Sequence, residues 1–347
     1  MSGSGFMARA QLVAAFAAIY VIWGSTFLAV ALGLQSIPPL LLMGVRSIAA
    51  GVILLAIEQV RGQVRRQAGG SGLSSGRAWA SAAVSGLLLI VGGQGALAYA
   101  QQYVPSGLAA VMLATVPFWI VLLNMSASSD LRARMLTLAG LLPGLAGVAL
   151  IAWPQDSRTT TAVDPWMIAL LLASAFFWAA GSVVSQRLQS SNSAVALSGM
   201  QLVCGGAASI VGSAVTGELG GFSAYDVSTL SWAGLSYLIG AGSVVTFTAY
   251  MWLLDNAPGA LVNTYTFVNP IIAVILGWRF LGERPTPQML AGTVLVIVSV
   301  IVVWRLTNRA PRRTSPRLRG ERHTAREETR IRPGGSPRQR GGTKIRP

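Results

Sequence analysis

The sequence predicts an all-α integral membrane protein with ten transmembrane helices, arranged as two inverted five-helix repeats. Three observations predict it. The 347 residues are 53% hydrophobic and 11% charged, with mean hydropathy +0.58, whereas a soluble domain carries about 25% charged residues. Apolar stretches near the roughly 20 residues that cross a bilayer recur along the chain. The landmarks of the first half also return in the second. Trp23, Arg46 and Gly51 match Trp178, Gln201 and Gly206, each shifted by 155; Trp79, Pro105, Pro117 and Asp130 match Trp232, Pro258, Pro270 and Glu283, each shifted by 153.

The spans read as about 11–33, 38–57, 79–99, 104–123 and 135–153, then 166–186, 194–215, 231–253, 259–280 and 287–304. Lipid offers no partner to open backbone groups, so runs of this length must be helices. The short alternating strands of a barrel do not occur. The first run begins a repeat and lacks a small-residue cleavage site, so it is not read as a removable signal. These spans divide the chain into a first repeat, 1–155, a second repeat, 160–304, and a tail, 305–347. Five spans per repeat is an odd number, so tandem copies enter the membrane with opposite orientations.

Loop charges agree with a cytoplasmic N-terminus. Inward loops then hold Arg61, Arg65, Arg66 and Arg77, next Arg132 and Arg134, then Arg187. Outward loops hold Arg158 and the Arg279–Arg284 edge beside Asp156, Asp164, Glu218 and Asp226. Cytoplasmic loops collect Arg and Lys; only the loop near Asp255 is uninformative. The net charge of +15 is uneven: residues 1–304 carry 12 Arg and 8 acids, and residues 305–347 carry 14 basic and 3 acidic residues. The tail is rich in Arg, Pro, Gly and Ser without apolar periodicity, so it is expected to be disordered. Anionic lipid is its expected partner. No aromatic residues interleave the charges, which argues against nucleic acid.

Missing residues exclude several chemistries. The lone cysteine, Cys204, lies in an apolar span and builds no disulfide framework or thiolate metal site. The lone histidine, His323, lies in the tail, so no Ser–His or Cys–His nucleophile system fits inside the membrane. The acids Glu58, Asp130, Asp156, Asp164, Glu218, Asp226, Asp255 and Glu283 all sit at span ends or in loops. That speaks against a metal site, a membrane enzyme, and simple proton antiport through a deep carboxylate. No Walker-type loop is present, so ATP does not drive the protein directly. No cofactor is implied.

The polar residues inside the spans are the candidate site. Arg46 lies eight residues after Pro38, roughly 12 Å along a helix. Burying it there costs about 2.5–3.5 kcal/mol on insertion scales, so it needs a partner. It reads equally as a contact for an anionic or zwitterionic substrate and as a structural arginine on neighbouring carbonyls. Its repeat mate Gln201 offers a neutral donor. Pro117 and Pro270 fall inside the fourth and ninth spans and are expected to kink them as hinges. Asn263, Thr264, Tyr265, Thr266 and Asn269 form a polar stretch beside Pro270; Tyr265 and Asn269, four apart, share a face. This stretch reads as a cavity lining, with inter-helix bonding as the alternative. Gln94 follows Gly92-Gly93 and precedes Gly95 and Tyr99 in a weakened third span. Trp23-Gly24-Ser25-Thr26 and Trp178 with Ser182 and Ser185 are repeat counterparts, whose indoles either stack on substrate or pack. Gly140-x-x-x-Gly144, with Gly147, offers a small-residue face for the fold or for a homodimer.

These stretches resemble the EamA family of the drug/metabolite transporter superfamily, and within it the YedA-type exporters. The carrying residues are Trp23-Gly24-Ser25-Thr26-Phe27, Pro38-Pro39 with Gly44-Val45-Arg46, Val104-Pro105-Ser106-Gly107, and Ala114-Thr115-Val116-Pro117. In the second half they are Gly181-Ser182-Val183, Ala249-Tyr250-Met251, and Val268-Asn269-Pro270 leading to Gly282-Glu283. The resemblance covers about 11–304. It implies ten helices, both termini cytoplasmic, inverted repeats and a central cavity lined by helices one to four and six to nine. The expected activity is secondary transport of a small metabolite or amino-acid-like solute across the plasma membrane, with export the favoured direction. Arg46, Gln94, Tyr99, Gln201, Asn263, Tyr265 and Asn269 are the expected polar contacts, and Trp23 and Trp178 shape the cavity. A passive channel stays open as an alternative, as does a membrane enzyme or lipid-handling scaffold.

Overall fold

Apolar helices make up most of the described chain. In a computed structural model, residues 3–66, 76–125, 131–152, 164–187, 193–257, 262 and 265–309 are described. Asn263, Thr264, Asp130, Asp156, Arg158 and the tail from 310 lie outside them. Helix α1 (Gly3–Ala17) continues through a π turn, Ala18–Ile22, into α2 (Trp23–Gly33). Next come α3 (Pro39–Arg66), then α4 (Gly76–Gly86), a π stretch Leu87–Gly95 and α5 (Ala96–Ala100). Helices α6 (Ser106–Leu113), α7 (Val116–Met125) and α8 (Leu131–Ala152) complete the first half. The second holds α9 (Pro165–Arg187), α10 (Ala194–Val215), α11 (Thr229–Ile239), a π stretch Gly240–Val245, and α12 (Thr246–Asn256). It ends with α13 (Tyr265–Leu281) and α14 (Pro287–Arg309). Among the described residues every regular element is helical.

Among the described residues seven helical runs are long and apolar enough to cross a membrane: 9–33, 39–60, 76–100, 106–124, 165–187, 195–215 and 229–250. Three more apolar helices, Leu142–Ile151, Val268–Leu281 and Pro287–Ser299, are shorter. They fall where the fifth, ninth and tenth spans are expected.

Pro117 does not kink a continuous helix. The fourth span breaks at Ala114-Thr115, and α7 restarts at Val116, which puts Pro117 in its first turn. There the missing N–H needs no intrahelical partner, so proline fits without loss. Pro270 does lie inside a helix, in the second turn of α13. Pro143 within α8 is a second such position among the described residues.

The most extensive helix contact joins α3 to α10. Glycines set their approach. A Cβ on Gly51 would stand 2.8 Å from the Gly199 carbonyl oxygen, and one on Gly44 would stand 3.1 Å from that of Gly206. Gly44 and Gly199 are 155 apart, as are Gly51 and Gly206, so the two glycine pairs exchange when the halves are exchanged. Other contacts behave alike: the first π stretch packs on α9 and α11 on α2; α4 on α10 and α11 on α3; α7 on α9 and α13 on α2. Helix α6 meets α13, joining Leu108, Val111 and Met112 to Ala273, with Met289 of α14 in the same apolar cluster. The small-residue face of α8 is used inside the protein. Gly144 abuts the Phe118 ring, Gly147 meets the Gly292 carbonyl at 2.7 Å from a built Cβ, and the Ser299 hydroxyl donates to the Gly140 carbonyl.

Candidate functional site

Two π stretches begin 153 residues apart, at Leu87 and Gly240. A π stretch widens the turn and frees carbonyls from the usual ladder, and it recurs at functional positions. Each gathers the polar side chains singled out above.

On Gly240–Val245, the Trp23 indole N–H donates to the Gly242 carbonyl at 3.2 Å, and the Thr246 hydroxyl donates to the same oxygen at 2.8 Å. The next residue, Ser243, accepts from Arg46 Nε at 3.2 Å and donates to the Leu238 carbonyl at 2.8 Å. Trp23 and Arg46 are therefore fixed by adjacent residues of one turn. Arg46 is 9% exposed, and its other recorded contact is Nη1 to Met43 Sδ at 3.8 Å. Among the described residues no carboxylate pairs with this guanidinium. The guanidinium has five donors and no acceptor capacity, and among the described residues only Nε and Nη1 meet a partner.

Trp23 also leads to a ring cluster. Its centroid lies 4.6 Å from Tyr265 and 5.4 Å from Tyr250, and these two tyrosines are 6.1 Å apart. Asn269, with its amide oriented to satisfy its surroundings, donates to the carbonyls of Tyr20 at 3.3 Å and Tyr265 at 3.1 Å.

Around Leu87–Gly95 the counterparts assemble. The Ser174 hydroxyl donates to the Gly93 carbonyl at 2.8 Å, and a Cβ on Gly93 would stand 3.1 Å from the Trp178 ring. Gln201 Nε2 donates to Ser85 Oγ at 2.9 Å, just before the π stretch, and to Ser185 Oγ at 2.7 Å on α9. The Ser182 hydroxyl bonds back to the Trp178 carbonyl at 2.8 Å. Gln94 Oε1 is buried without a partner, which leaves an acceptor unsatisfied in this cluster.

The structure thus brings Arg46, Trp23, Tyr265 and Asn269 to one side, and Trp178, Gln201 and Gln94 to the other. Tyr99 joins neither. It is 43% exposed, stacks on Tyr103 at 5.6 Å, and lines a recess of ≈ 340 Å³ with Ser36, Pro38, Gln102 and Glu218. Asn263 falls outside the described residues. Ser243, Ser85 and Tyr250 were not selected from the sequence. Their signal was a hydroxyl within an apolar span, too common to stand out.

A bundle of apolar helices with a buried arginine and several polar side chains bonded at two widened turns suits a membrane transporter. The chain belongs to the EamA-like transporter family, which matches residues 10–153 and again 165–305. It is 35% identical over 300 residues to the uncharacterized inner membrane transporter YedA of Escherichia coli K12, covering 84% of this chain and 90% of that one. It is 27% identical over 306 residues to the transporter YvbV of Bacillus subtilis (85% and 91% covered). A third relative, 24% identical over 308 residues (82% and 91% covered), bears the name "Probable amino-acid metabolite efflux pump" in E. coli K12. One crystal structure superposes with TM-score 0.56 at 18% identity, covering 87% of this chain and 98% of that one, and shares the fold.

Proposed function

We propose that the protein is a secondary exporter of a small amino-acid-like or anionic metabolite. It works by alternating access between two inverted five-helix halves, residues 1–155 and 160–304. Both termini are cytoplasmic, and the end carrying Pro38, Pro105, Glu218 and Glu283 faces outward. Support for the two halves comes from the helix contacts that exchange under the repeat and from a family match that occurs twice. The loop arginines support the orientation. The efflux relative supports the solute class and direction.

One observation carries the binding proposal: Arg46 is buried, donates through Nε to Ser243 and through Nη1 only to the weak acceptor Met43 Sδ, and has no carboxylate partner among the described residues. A buried charge requires compensation, and a substrate carboxylate supplies it with bidentate geometry. Trp23, Tyr265 and Asn269 then flank the substrate on that side, while Gln94, Trp178 and Gln201 meet it from the other. Tyr99 contacts it at the outer recess, and Asn263 is a further polar contact. Pro270 and the break before Pro117 give the fourth and ninth spans their hinges. The basic tail rests on anionic lipid.

A thermal-shift screen of metabolites on purified protein, repeated with Arg46→Gln, tests this reading. Carboxylate-bearing ligands should stabilise the parent and lose at least about tenfold in affinity on the variant, since a charged hydrogen bond contributes roughly 1.5–3 kcal/mol. Equal stabilisation of both proteins refutes the anion contact. Saturable counterflow in liposomes separates a carrier from a channel.

A further inference from the structure

The two glycines with positive φ, Gly217 (φ 80°) and Gly282 (φ 68°), are each followed at once by a glutamate. Both glutamates reach into the other half. Glu218 accepts from the backbone N–H of Leu40 at 3.1 Å and of Leu41 at 3.2 Å, and from the Ser213 hydroxyl at 2.8 Å. Glu283 accepts from the N–H of Ser106 at 2.7 Å and of Gly107 at 3.3 Å. These are the exposed donors at the N-termini of α3 and α6, and the carboxylates also complement the positive ends of the two helices. Neither helix can cap itself, because Pro38 and Pro105 precede the first turns and offer no side-chain acceptor. The local backbone is built for the task. A left-handed glycine turns the chain back at the end of each preceding helix, and Gly277 leaves room that any side chain would take from the Glu283 carboxylate.

The counterpart of α3 in the second half is treated differently. Helix α10 carries its own cap: Ser193 accepts from the Ala196 N–H at 3.1 Å. Two halves are bolted together at one end by carboxylates, while the equivalent helix start at the opposite end is satisfied locally.

We propose that Gly217-Glu218 and Gly282-Glu283 are twin latches that hold this end of the molecule shut, and that both must release together when it opens. The inference rests on the alternating-access reading above. Its test needs no substrate, so the two can fail separately.

Hydrogen exchange on the full chain in nanodiscs reads the latched amides directly, with the α10 amides as the control. Glu218→Gln keeps the shape and removes the charge. It should speed exchange roughly tenfold at Leu40 and Leu41, and also at Ser106 and Gly107 on the other latch. Glu283→Gln should do the reverse. If each change touches only its own helix, or neither, the glutamates are ordinary caps and the latch is wrong. If the α10 amides also speed up, Pro105→Ser is added to Glu283→Gln to give α6 a local cap. Fast exchange persisting at Leu40 and Leu41 then upholds the latch, and its return to the parent value overturns it.

Discussion

Replacing Gly51 by alanine tests the crossing of α3 and α10, on which the joining of the two halves depends. The new methyl would stand 2.8 Å from the Gly199 carbonyl oxygen, 2.8 Å from Val203 Cγ2 and 3.0 Å from Leu202 Cβ. Ordinary contact begins near 3.4 Å, so the helices must part by about 0.6 Å or strain. The obstacle is backbone, which cannot rotate away. Overpacking of this kind costs about 1–3 kcal/mol, against a helix-propensity gain of about 1 kcal/mol for Gly to Ala. A net loss of up to about 2 kcal/mol follows from these two magnitudes. Two neighbours calibrate it. Gly199→Ala meets mainly the Leu55 side chain, at 2.8 and 3.0 Å, with the Gly51 oxygen farther off at 3.2 Å; a flexible tip can yield, so its cost is smaller. Gly76→Ala meets nothing within 4 Å and should lose nothing. Thermal unfolding of the three proteins in one detergent should rank Gly51→Ala lowest and Gly76→Ala highest. Equal midpoints for Gly51→Ala and Gly76→Ala would refute the tight crossing.

Ser243→Ala leaves Arg46 Nε without its acceptor in a buried setting. It should cost about 1–3 kcal/mol and weaken carboxylate ligands, while Ser243→Thr restores both in the same thermal assay. Trp23→Phe keeps the ring contacts with Tyr250 and Tyr265 but removes the indole donor to Gly242. A loss of about 0.5–1.5 kcal/mol is expected, whereas Trp23→Ala, which also empties the ring cluster, should lose about 3–5 kcal/mol.

Apolar length and repeated landmarks made the helices legible, because lipid admits little else. The pairing of Gly44 with Gly206 and of Gly51 with Gly199 was not legible. Gly51 and Gly206 stand out as repeat mates, yet each touches the mate of another glycine, which only the tertiary crossing decides. Arg46 and Gln201 announced themselves through the cost of burial. Ser85 and Ser243, which hold them, did not, since a serine in a helix usually bonds its own backbone. Tyr99 drew notice as a polar ring near a span end, and its place in the recess beside Pro38 and Glu218 depends on how the helix rotates after the π stretch. Composition does not encode that rotation beyond a few glycines. Pro117 misled because a proline inside an apolar run is read as a bend, whereas the helix had already stopped at Ala114. Glu218 and Glu283 looked like loop acids; their targets lie about 177 residues away.

The glycine seam between α3 and α10 also dictates an order of events during synthesis. When residues up to 152 have left the ribosome, the surface of α3 that needs Gly199 and Gly206 has nothing to sit against, because those residues do not yet exist. The early portion must wait, half-assembled, until α10 arrives to pack against it. A chain stopped near residue 155 would therefore be a substrate for membrane quality control rather than a smaller working unit.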